Sequence, residues 1–377
     1  MAGIYIHIPF CKQACHYCDF HFSTSLKKKS ELLQAIDHEL RWRKNELTGL
    51  KIETIYFGGG TPSLLSPDEL EDILEAIWEE YQLIDDPEIT LEANPDDIHK
   101  TYLESISKVG INRLSLGIQS FFDDELKLMN RAHDVSMAKS SLEIAMEIFP
   151  NTSIDLIYGM PLSTADKWKK NLETALSYNV SHISSYALTV EPKTALQAFI
   201  KKGLINEPDE SVAEAQFYMM VDKLEEAGFM HYELSNFGKP GYLSKNNSAY
   251  WQGKPYLGIG PSAHSYSGTE RSWNVRNNNL YIKSLHKKKL PLEREKLTIT
   301  DRYNETVMTG LRTIWGVDLE GIRNEFGPTY FDYLREQSHN YIKQHLLYIE
   351  NDKLLVTRKG KFLCDGIASG LFKLNLE

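Results

Sequence analysis

The sequence of 377 residues predicts an α/β fold in which six parallel strands and their helices form a partial (β/α)6 barrel. Over the first 240 residues, short apolar segments alternate six times with segments of helical periodicity. Alternation of this kind implies parallel strands that are joined by crossover helices. Because six units fall short of the eight in a closed barrel, we expect the barrel to be open along one side.

The predicted strands end where β-branched and aromatic residues give way to glycine, proline or polar residues. The first strand covers Ile4 to Ile8, and Pro9 ends it because proline has no N–H to donate. The other five strands are predicted at Thr54–Phe57, Glu88–Ala93, Arg113–Gly117, Thr152–Ile157 and His182–Leu188.

The predicted helices of the barrel lie after these strands and have recognisable ends. Ser66 is the N-cap of one helix, with Pro67 in its first turn and Glu69 completing a capping box. Gly110 ends another helix, as glycine commonly does. The helices are predicted at Leu26–Leu47, from Ser66 onward, and at Thr101–Val109, Ser136–Phe149, Ala165–Ser177 and Asp209–Ala227.

The pattern changes from about Pro291 onward, where helices are followed by a hairpin. Helices are predicted at Asp301–Arg312 and Tyr330–Leu346, a hairpin at Leu347–Val356 and a last helix near Lys361–Leu371. This order is typical of a winged-helix-like module. We therefore expect the barrel at residues 1–240, a connecting segment at 241–290 and a small winged-helix-like domain at 291–377.

The composition excludes several classes of protein. The formal charge of −10 argues against a nucleic-acid-binding protein, which normally carries a basic surface. The sequence contains neither a run of about 18 apolar residues, as a transmembrane segment requires, nor a secretory signal. We expect a cytoplasmic protein with reduced thiols. The isolated Cys364 is expected to be a small buried hydrophobic residue.

Cys11, Cys15 and Cys18 follow the first strand with the spacing C-x3-C-x2-C. Three thiolates on one short loop can converge on a metal centre. A four-iron cluster has four ligand positions, so three cysteines leave one iron open to a small molecule. A structural zinc site is the alternative, with His16 or His21 as the fourth ligand. Disulfides are disfavoured because this cluster holds an odd number of cysteines.

Polar and glycine-rich residues cluster at the carboxyl ends of the predicted strands, where barrels of this type carry their chemistry. The glycines of Gly58–Thr61 allow a backbone to approach a ligand closely, although a tight turn would need them too. Glu92 and Asp155 could bind hydroxyl or amino groups, and Gln119 could bridge to a carboxylate or hydroxyl. Arg131 could bind a carboxylate through two hydrogen bonds. Each residue taken alone fits an ordinary polar residue at a strand end better than a ligand-binding residue.

The cysteine spacing resembles that of the radical S-adenosylmethionine (SAM) superfamily, whose members bind SAM at the open iron of a [4Fe-4S] cluster. The segment His7–Cys11, HIPFC, resembles the group that contains oxygen-independent coproporphyrinogen III oxidases (HemN) and haem chaperones (HemW). The resemblance extends over about residues 3–270 and implies that Cys11, Cys15 and Cys18 hold the cluster. The positions that match SAM-contacting residues of the family are Tyr5, Tyr17, Gly59, Gly60, Thr61, Glu92, Gln119, Arg131, Asp155 and Ala187.

Two features resemble the haem chaperones rather than the oxidases. Phe20 stands where the oxidases carry a fourth cysteine, and Cys11 leaves no room before it for the oxidases' N-terminal extension. The resemblance therefore implies a protein that holds the cluster and SAM, binds haem and passes it to an acceptor protein. It also implies an electron donor to the cluster. The alternatives are an oxidase or another radical SAM enzyme that acts on a tetrapyrrole, and a zinc-containing barrel without catalytic activity.

Haem chaperones of this group carry an H-N-x-x-Y-W motif that is linked to haem binding. Asn247, Tyr250 and Trp251 match this motif, whereas Asn246 takes the place of its histidine. A carboxamide is a poor iron ligand, so His264 and Tyr250 become the candidates for ligating haem iron. The alternatives are a polar cavity-lining role for His264 and core packing for Tyr250 and Trp251.

Overall fold

The computed structural model describes residues 1–374, and its strands confirm the α/β prediction. The six strands of the partial barrel are β1 (Ala2–Ile8), β2 (Ile52–Gly59), β3 (Leu83–Ala93), β4 (Arg113–Gln119), β5 (Thr152–Tyr158) and β6 (His182–Ala187). The remaining strands are β7 (Met230–Glu233), β8 (Asn236–Gly238), β9 (Tyr256–Ile259), β10 (His264–Tyr266), β11 (Glu270–Asn274), β12 (Leu292–Lys296), β13 (Val317–Asp318), β14 (Leu347–Glu350) and β15 (Lys353–Val356).

The helices cover the faces and ends of these strands. Those up to the last barrel strands are α1 (Lys29–Arg43), α2 (Pro67–Glu80), α3 (Lys100–Val109), α4 (Asp123–Leu128), α5 (Val135–Ile148), α6 (Ala165–Ser177), α7 (Ala195–Lys201) and α8 (Glu210–Glu226). The later helices are α9 (Lys245–Trp251), α10 (Asn278–His286), α11 (Ile299–Leu311), α12 (Leu319–Phe326), α13 (Pro328–Lys343), α14 (Arg358–Lys361) and α15 (Cys364–Gly370). The capping box of α2 is formed, with Ser66 accepting from the Glu69 N–H.

Strands β1 to β6 lie side by side in chain order and are all parallel, as predicted. The sheet continues past both edges of this unit. Strand β9 pairs with β1 in parallel, and β10, β11 and β12 follow it as antiparallel strands. At the other edge, β8 and β7 add antiparallel strands beyond β6.

Residues 241–290, predicted as a connecting segment, thus contribute β9, β10 and β11 to the main sheet. The domain limits at 240 and 290 themselves stay a prediction. A hydrophobic core spanning Ala2 to Leu285 packs around this sheet. A second core spans Tyr303 to Leu371. There α11, β13, α12, α13 and the β14–β15 hairpin follow in the order of a winged helix, and Cys364 is fully buried.

None of the helices in residues 1–374 is long and apolar enough to span a membrane.

A buried carboxylate fixes the added strands to the first half of the barrel. Glu39 of α1 is fully buried, and its oxygens lie 2.9 Å from Arg43 Nη1, 2.9 Å from the Gly260 nitrogen and 2.7 Å from Asn274 Nδ2. It also accepts a hydrogen bond from the Tyr281 hydroxyl. Because buried charges require paired partners, this network ties α1, α10 and the β9–β11 segment together.

We predict that Arg43→Met lowers the free energy of unfolding by about 3 to 5 kcal/mol, because it leaves the Glu39 carboxylate buried without its counter-charge. The measurement is urea denaturation of the full chain. Helix α1 supplies a matched control, since Arg41 and Asp37 form a pair at the same i,i+4 spacing with 38% and 35% side-chain exposure. Arg41→Met should cost less than about 1 kcal/mol. Equal losses in the two variants would contradict the prediction.

Candidate functional site

The three cysteines lie on a loop that leaves the carboxyl end of β1 and closes on itself. The Cys11 nitrogen donates to the Ser23 carbonyl at 3.1 Å, and the Ser23 nitrogen donates to the Pro9 carbonyl at 2.9 Å. All three thiols are partly exposed. The three thiols are neighbours, since burial and the nearby Cys15 and Cys11 thiols raise the pKa of Cys18.

Arg131 holds this loop against the neighbouring strand ends. Its Nη1 lies 3.3 Å from Cys15 Sγ, and its Nη2 donates to Asn94 Oδ1 at 2.6 Å and to the Gly117 carbonyl at 2.9 Å. Asn94 Nδ2 in turn donates to Thr61 Oγ1 at 3.1 Å. The arginine predicted from the sequence therefore links the cysteine loop to the glycine loop through Asn94.

The donor set fits an iron–sulfur cluster with an exchangeable ligand. Arg131 Nε is buried without a hydrogen-bond partner, which leaves one charged donor beside the thiols. In the part of the chain that the structure describes, no three His, Cys, Asp or Glu side chains are grouped to hold a single metal ion. A cluster instead takes its thiolates on separate irons. When bound, such a cluster would supply single electrons at its open iron.

The glycines after β2 are required by the chain itself. Gly59 has φ +106°, and a Cβ there would lie 2.5 Å from the His7 ring. A Cβ at Gly60 would lie 2.6 Å from the Phe10 carbonyl oxygen. Any side chain at either position would separate β2 from the cysteine loop. The glycine loop therefore serves tight packing against β1, whichever ligand lies beyond it.

Gln119 ends β4 in a strained conformation. Its φ is +66°, which is unfavourable for a residue with a side chain, and the pairing of β4 with β5 is irregular between Leu116 and Gln119. The side chain is buried. Strain of about 1 to 3 kcal/mol per residue persists where surrounding structure enforces it, most often at functional sites.

Two carboxyl groups with raised pKa values face the inside of the barrel. Glu92 accepts from the Tyr56 hydroxyl at 2.8 Å and from the Gly59 nitrogen at 3.1 Å, and burial raises its pKa to about 7. Asp155 accepts from Ser115 Oγ at 3.3 Å, and burial raises its pKa to about 6. Both groups can therefore exchange protons near neutral pH.

One cavity of about 970 Å³, called the central cavity below, opens inside the barrel. The predicted site residues that line it are Tyr5, Glu92, Asp155, Asn247, Tyr250, Trp251 and His264. Helix α11 of the second core contributes Glu305, Thr306, Met308 and Thr309 to the lining. The structure thus brings residues predicted for SAM and residues predicted for haem to one cavity.

The other predicted residues lie outside the lining of the central cavity. The cysteine loop and the residues next to it at the strand ends form one such group, which contains Cys11, Cys15, Cys18, Gly59, Gly60, Thr61, Gln119 and Arg131. Tyr17 packs against a small hydrophobic cluster that contains Leu126 and Met129. Ala187 is exposed at the end of β6.

Aromatic side chains form a continuous wall of the central cavity. The rings of Tyr250 and Tyr256 are stacked with their centroids 4.1 Å apart, and Tyr256 lies 6.2 Å from Tyr266. His264 precedes Tyr266 by two residues on β10, so both side chains point to the same face. Four rings from α9, β9 and β10 thus flank the same space, an arrangement suited to a flat ligand.

Asn246, at the motif's histidine position, has a structural role. It is 7% exposed, and its Oδ1 accepts from Thr54 Oγ1 at 3.1 Å. The nitrogens of Lys245 and Asn246 both donate to the Glu88 carboxylate at 3.1 Å. These contacts hold the start of α9 against β2 and β3, so that Tyr250 and Trp251 face the cavity one turn later.

Sequence reasoning missed several residues of the site. Asn94 directly follows the predicted strand Glu88–Ala93, and Tyr56 lies inside the predicted strand Thr54–Phe57, so neither position stands out as a site residue. Tyr256 and Tyr266 lie in a stretch that was predicted to be a connection. The alternation of Tyr256, Gly258 and Gly260 is the one local sign of a strand there, because it has the period of two that strands show.

Comparisons with known proteins agree with this geometry. Residues 5–175 match the Radical SAM superfamily, and residues 297–363 match the HemN C-terminal domain. The chain is 33% identical over 367 residues to the protein named Heme chaperone HemW of Bacillus subtilis, with 96% of this chain and 97% of that protein covered. The chain belongs to the HemW family of radical SAM proteins. The protein of the same name in Lactococcus lactis is 35% identical, with 96% and 97% covered.

A solved structure supports the fold assignment. Coproporphyrinogen III oxidase (HemN) from Escherichia coli superposes with a TM-score of 0.86 at 25% identity, with 99% of this chain and 90% of that chain covered. The radical SAM barrel and the C-terminal winged-helix domain are therefore shared by the two proteins. The superfamily membership implies a [4Fe-4S] cluster and SAM.

We predict that Cys11→Ala, Cys15→Ala and Cys18→Ala each reduce bound iron after anaerobic reconstitution to less than about half of the four irons of a complete cluster. The physical reason is that each thiolate would be the protein's single anchor for one iron. Iron and acid-labile sulfide are measured per chain. Cys364→Ala is the control, because Cys364 is buried in the second core and should leave iron binding unchanged. Stoichiometric zinc instead of iron would contradict this prediction.

The raised pKa of Glu92 predicts a pH dependence of stability in cluster-free protein. Because the folded state binds this proton more tightly than the unfolded state, the contribution is complete below the ordinary pKa and is lost as pH rises through about 7. Glu92→Gln should therefore gain up to about 3 kcal/mol relative to wild type between about pH 5 and about pH 8. Unfolding by urea at both pH values measures this difference. The exposed Glu71→Gln is the control, and an equal pH response in both variants would refute the assignment.

Proposed function

We propose that this chain is a haem chaperone that holds a [4Fe-4S] cluster and SAM, binds haem in the central cavity and transfers it to an acceptor protein. The observation that carries this proposal is that Tyr5, Glu92 and Asp155 line the same cavity as Tyr250 and His264. Relatives named Heme chaperone HemW support it at 33% and 35% identity over nearly the whole chain.

The position of Phe20 favours a chaperone over an oxidase. Its side chain is 66% exposed and lines the central cavity, where the oxidases of the wider group carry a cysteine. An exposed aromatic ring offers a contact for a planar macrocycle and no thiol chemistry. The likeness to the oxidase of Escherichia coli extends over the fold, which many functions can share.

The aromatic wall supports haem as the cargo. A volume of about 970 Å³ lies at the upper end of the range of ligand pockets, and flat rings stack well on Tyr250, Tyr256 and Tyr266. His264 adjoins this wall and carries an imidazole, a common ligand of haem iron. We assign His264 as the iron ligand, and Tyr250 as a stacking residue.

The cysteine loop and its neighbours would serve SAM. The three thiolates would anchor the cluster, Arg131 would hold the loop, and Glu92 and Asp155 would accept hydrogen bonds from hydroxyl or amino groups of SAM. Reduction of the cluster would require an electron donor protein. Haem transfer would require an acceptor protein that reaches the mouth of the central cavity.

Titration with haemin tests this function. Anaerobically reconstituted wild-type protein should give a saturable Soret change, and His264→Ala should weaken binding by about tenfold or more, which corresponds to about 1.4 kcal/mol. Tyr250→Phe is the matched control, because it keeps the stacked ring and removes only the hydroxyl. A loss in Tyr250→Phe with normal binding by His264→Ala would reverse the ligand assignment.

Two further measurements complete the test. Asn246→His should bind haemin no more tightly than wild type and should unfold at a lower temperature, because the imidazole displaces the hydrogen bond between Asn246 and Thr54. Incubation with coproporphyrinogen III, SAM and a reductant should give no catalytic formation of product porphyrinogen. Absence of any saturable haemin binding, or turnover in the second assay, would overturn the proposed function.

A further inference from the structure

Arg113 is a buried cation that the described fold leaves without a hydrogen-bonding partner. It begins β4, is 2% exposed and lines the central cavity. Its Nε is buried without a hydrogen-bond partner, and within residues 1–374 none of its side-chain nitrogens makes a hydrogen bond. A guanidinium carries five N–H donors, and buried guanidinium groups are normally paired.

The nearest carboxylate does not satisfy this cation. Glu88 Oε2 lies 4.0 Å from Arg113 Nε, which is beyond hydrogen-bond distance. Glu88 already accepts from the Lys245 and Asn246 nitrogens at the start of α9. Asp155 also faces the cavity: burial raises its pKa and the charge of Arg113 opposes that rise, but its hydrogen bond comes from Ser115 and not from Arg113. Leaving a buried charge without hydrogen bonds is costly, so the arrangement indicates a missing anionic partner.

His182 and Tyr232, which also lie near Arg113, take their hydrogen bonds from other groups. His182 lies 2.7 Å from Ser153 Oγ and 2.8 Å from the Tyr232 hydroxyl. Burial and the charge of Arg113 both lower the pKa of His182, so its ring is neutral and supplies no counter-charge to the guanidinium. The open side of the guanidinium is therefore the central cavity.

Arg113 lies near helix α9, which carries the residues that match the haem-binding motif. Glu88 lies between them, with its carboxylate 4.0 Å from Arg113 and bonded to the backbone of Asn246. Asn247 and Tyr250 on the same helix line the cavity that Arg113 faces. A ligand that stacks on the aromatic wall thus has a fixed positive charge within the same enclosure.

We infer that Arg113 is a binding residue for a carboxylate of the tetrapyrrole, a propionate side chain held in a bidentate ion pair inside the central cavity. This inference rests on the proposed function and adds to it how the cargo is oriented. Guanidinium matches carboxylate geometry with two parallel hydrogen bonds, which gives direction as well as affinity. The ion pair would fix one edge of the macrocycle and leave its iron to a side chain of the wall.

The test uses protoporphyrin IX and its dimethyl ester, because the iron-free ring separates carboxylate recognition from iron ligation. Wild-type protein should bind the diacid about tenfold or more tighter than the ester, as expected for a buried charged pair. In Arg113→Met the ratio of diacid to ester affinity should fall below about twofold. Arg113→Lys should give an intermediate ratio, because lysine keeps the charge but lacks the two parallel N–H donors of the guanidinium. Porphyrin fluorescence measures all dissociation constants.

Arg271→Met is the matched control. Arg271 also lines the central cavity, but its side chain is 45% exposed and paired with Glu305 at 2.9 Å. This variant should keep the wild-type ratio between diacid and ester. If Arg271→Met abolishes the ratio while Arg113→Met keeps it, the carboxylate binds at the mouth of the cavity and the inference is wrong. Circular dichroism and thermal unfolding check that each variant folds. If Arg113→Met does not fold, the ratio between diacid and ester affinities in wild-type protein tests the inference by itself.

Two more arms separate the possible sources of the carboxylate and the two levels of the proposal. SAM carries a carboxylate as well, so SAM affinity is measured in cluster-containing wild type and Arg113→Met. A loss of SAM binding with an unchanged porphyrin ratio would assign the carboxylate to SAM and overturn the inference. Equal binding of diacid and ester by wild type, or no porphyrin binding, would also overturn it. If the protein binds haemin but binds diacid and ester equally, the inference fails and the chaperone function is retained. If the ratio of diacid to ester affinity depends on Arg113 but haemin does not bind, the chaperone function fails and the carboxylate site is retained.

Discussion

The fold depends on one buried carboxylate in helix α1. Glu39 accepts hydrogen bonds from Arg43, Asn274, Tyr281 and the Gly260 nitrogen, and these groups lie up to 242 positions apart in sequence. Strand β9 pairs with β1 on the side of the sheet that this network secures. A buried charge tolerates few alternative arrangements, because each donor that moves away leaves an unsatisfied oxygen. The network therefore fixes where β9, β10 and His264 stand relative to the cysteine loop.

Strand β1 makes the rest of the site possible. It pairs with β2 on one side and with β9 on the other, and the cysteine loop leaves from its carboxyl end. The glycines at Gly59 and Gly60 let β2 approach the start of that loop, where any Cβ would collide with His7 or Phe10. One strand thus places the metal-binding loop, the glycine loop and the aromatic wall next to each other.

The sequence predicted those parts of the molecule whose residues follow a local pattern. Six alternations of strand and helix gave the parallel sheet, the cysteine spacing located the loop, and the capping box at Ser66 located α2. Long-range roles left no comparable pattern. Glu39 and Arg43 have the same i,i+4 spacing as Asp37 and Arg41, yet one pair is buried and the other exposed. Asn246 likewise accepts its hydrogen bond from Thr54, a residue 192 positions away, which no local pattern indicates.

The winged-helix domain contributes helix α11 to the wall of the central cavity. Glu305, Thr306, Met308 and Thr309 line the same space as the sheet residues Glu92 and Tyr256, so residues from the regions of both hydrophobic cores bound the cavity. A molecule that fills the cavity contacts both cores at once. Its binding energy adds to the work needed to separate them, by mass action. Separating the two cores therefore takes more free energy in the loaded chain than in the empty chain. A partner protein that moved α11 away from the sheet would open the cavity and release the bound molecule in the same step.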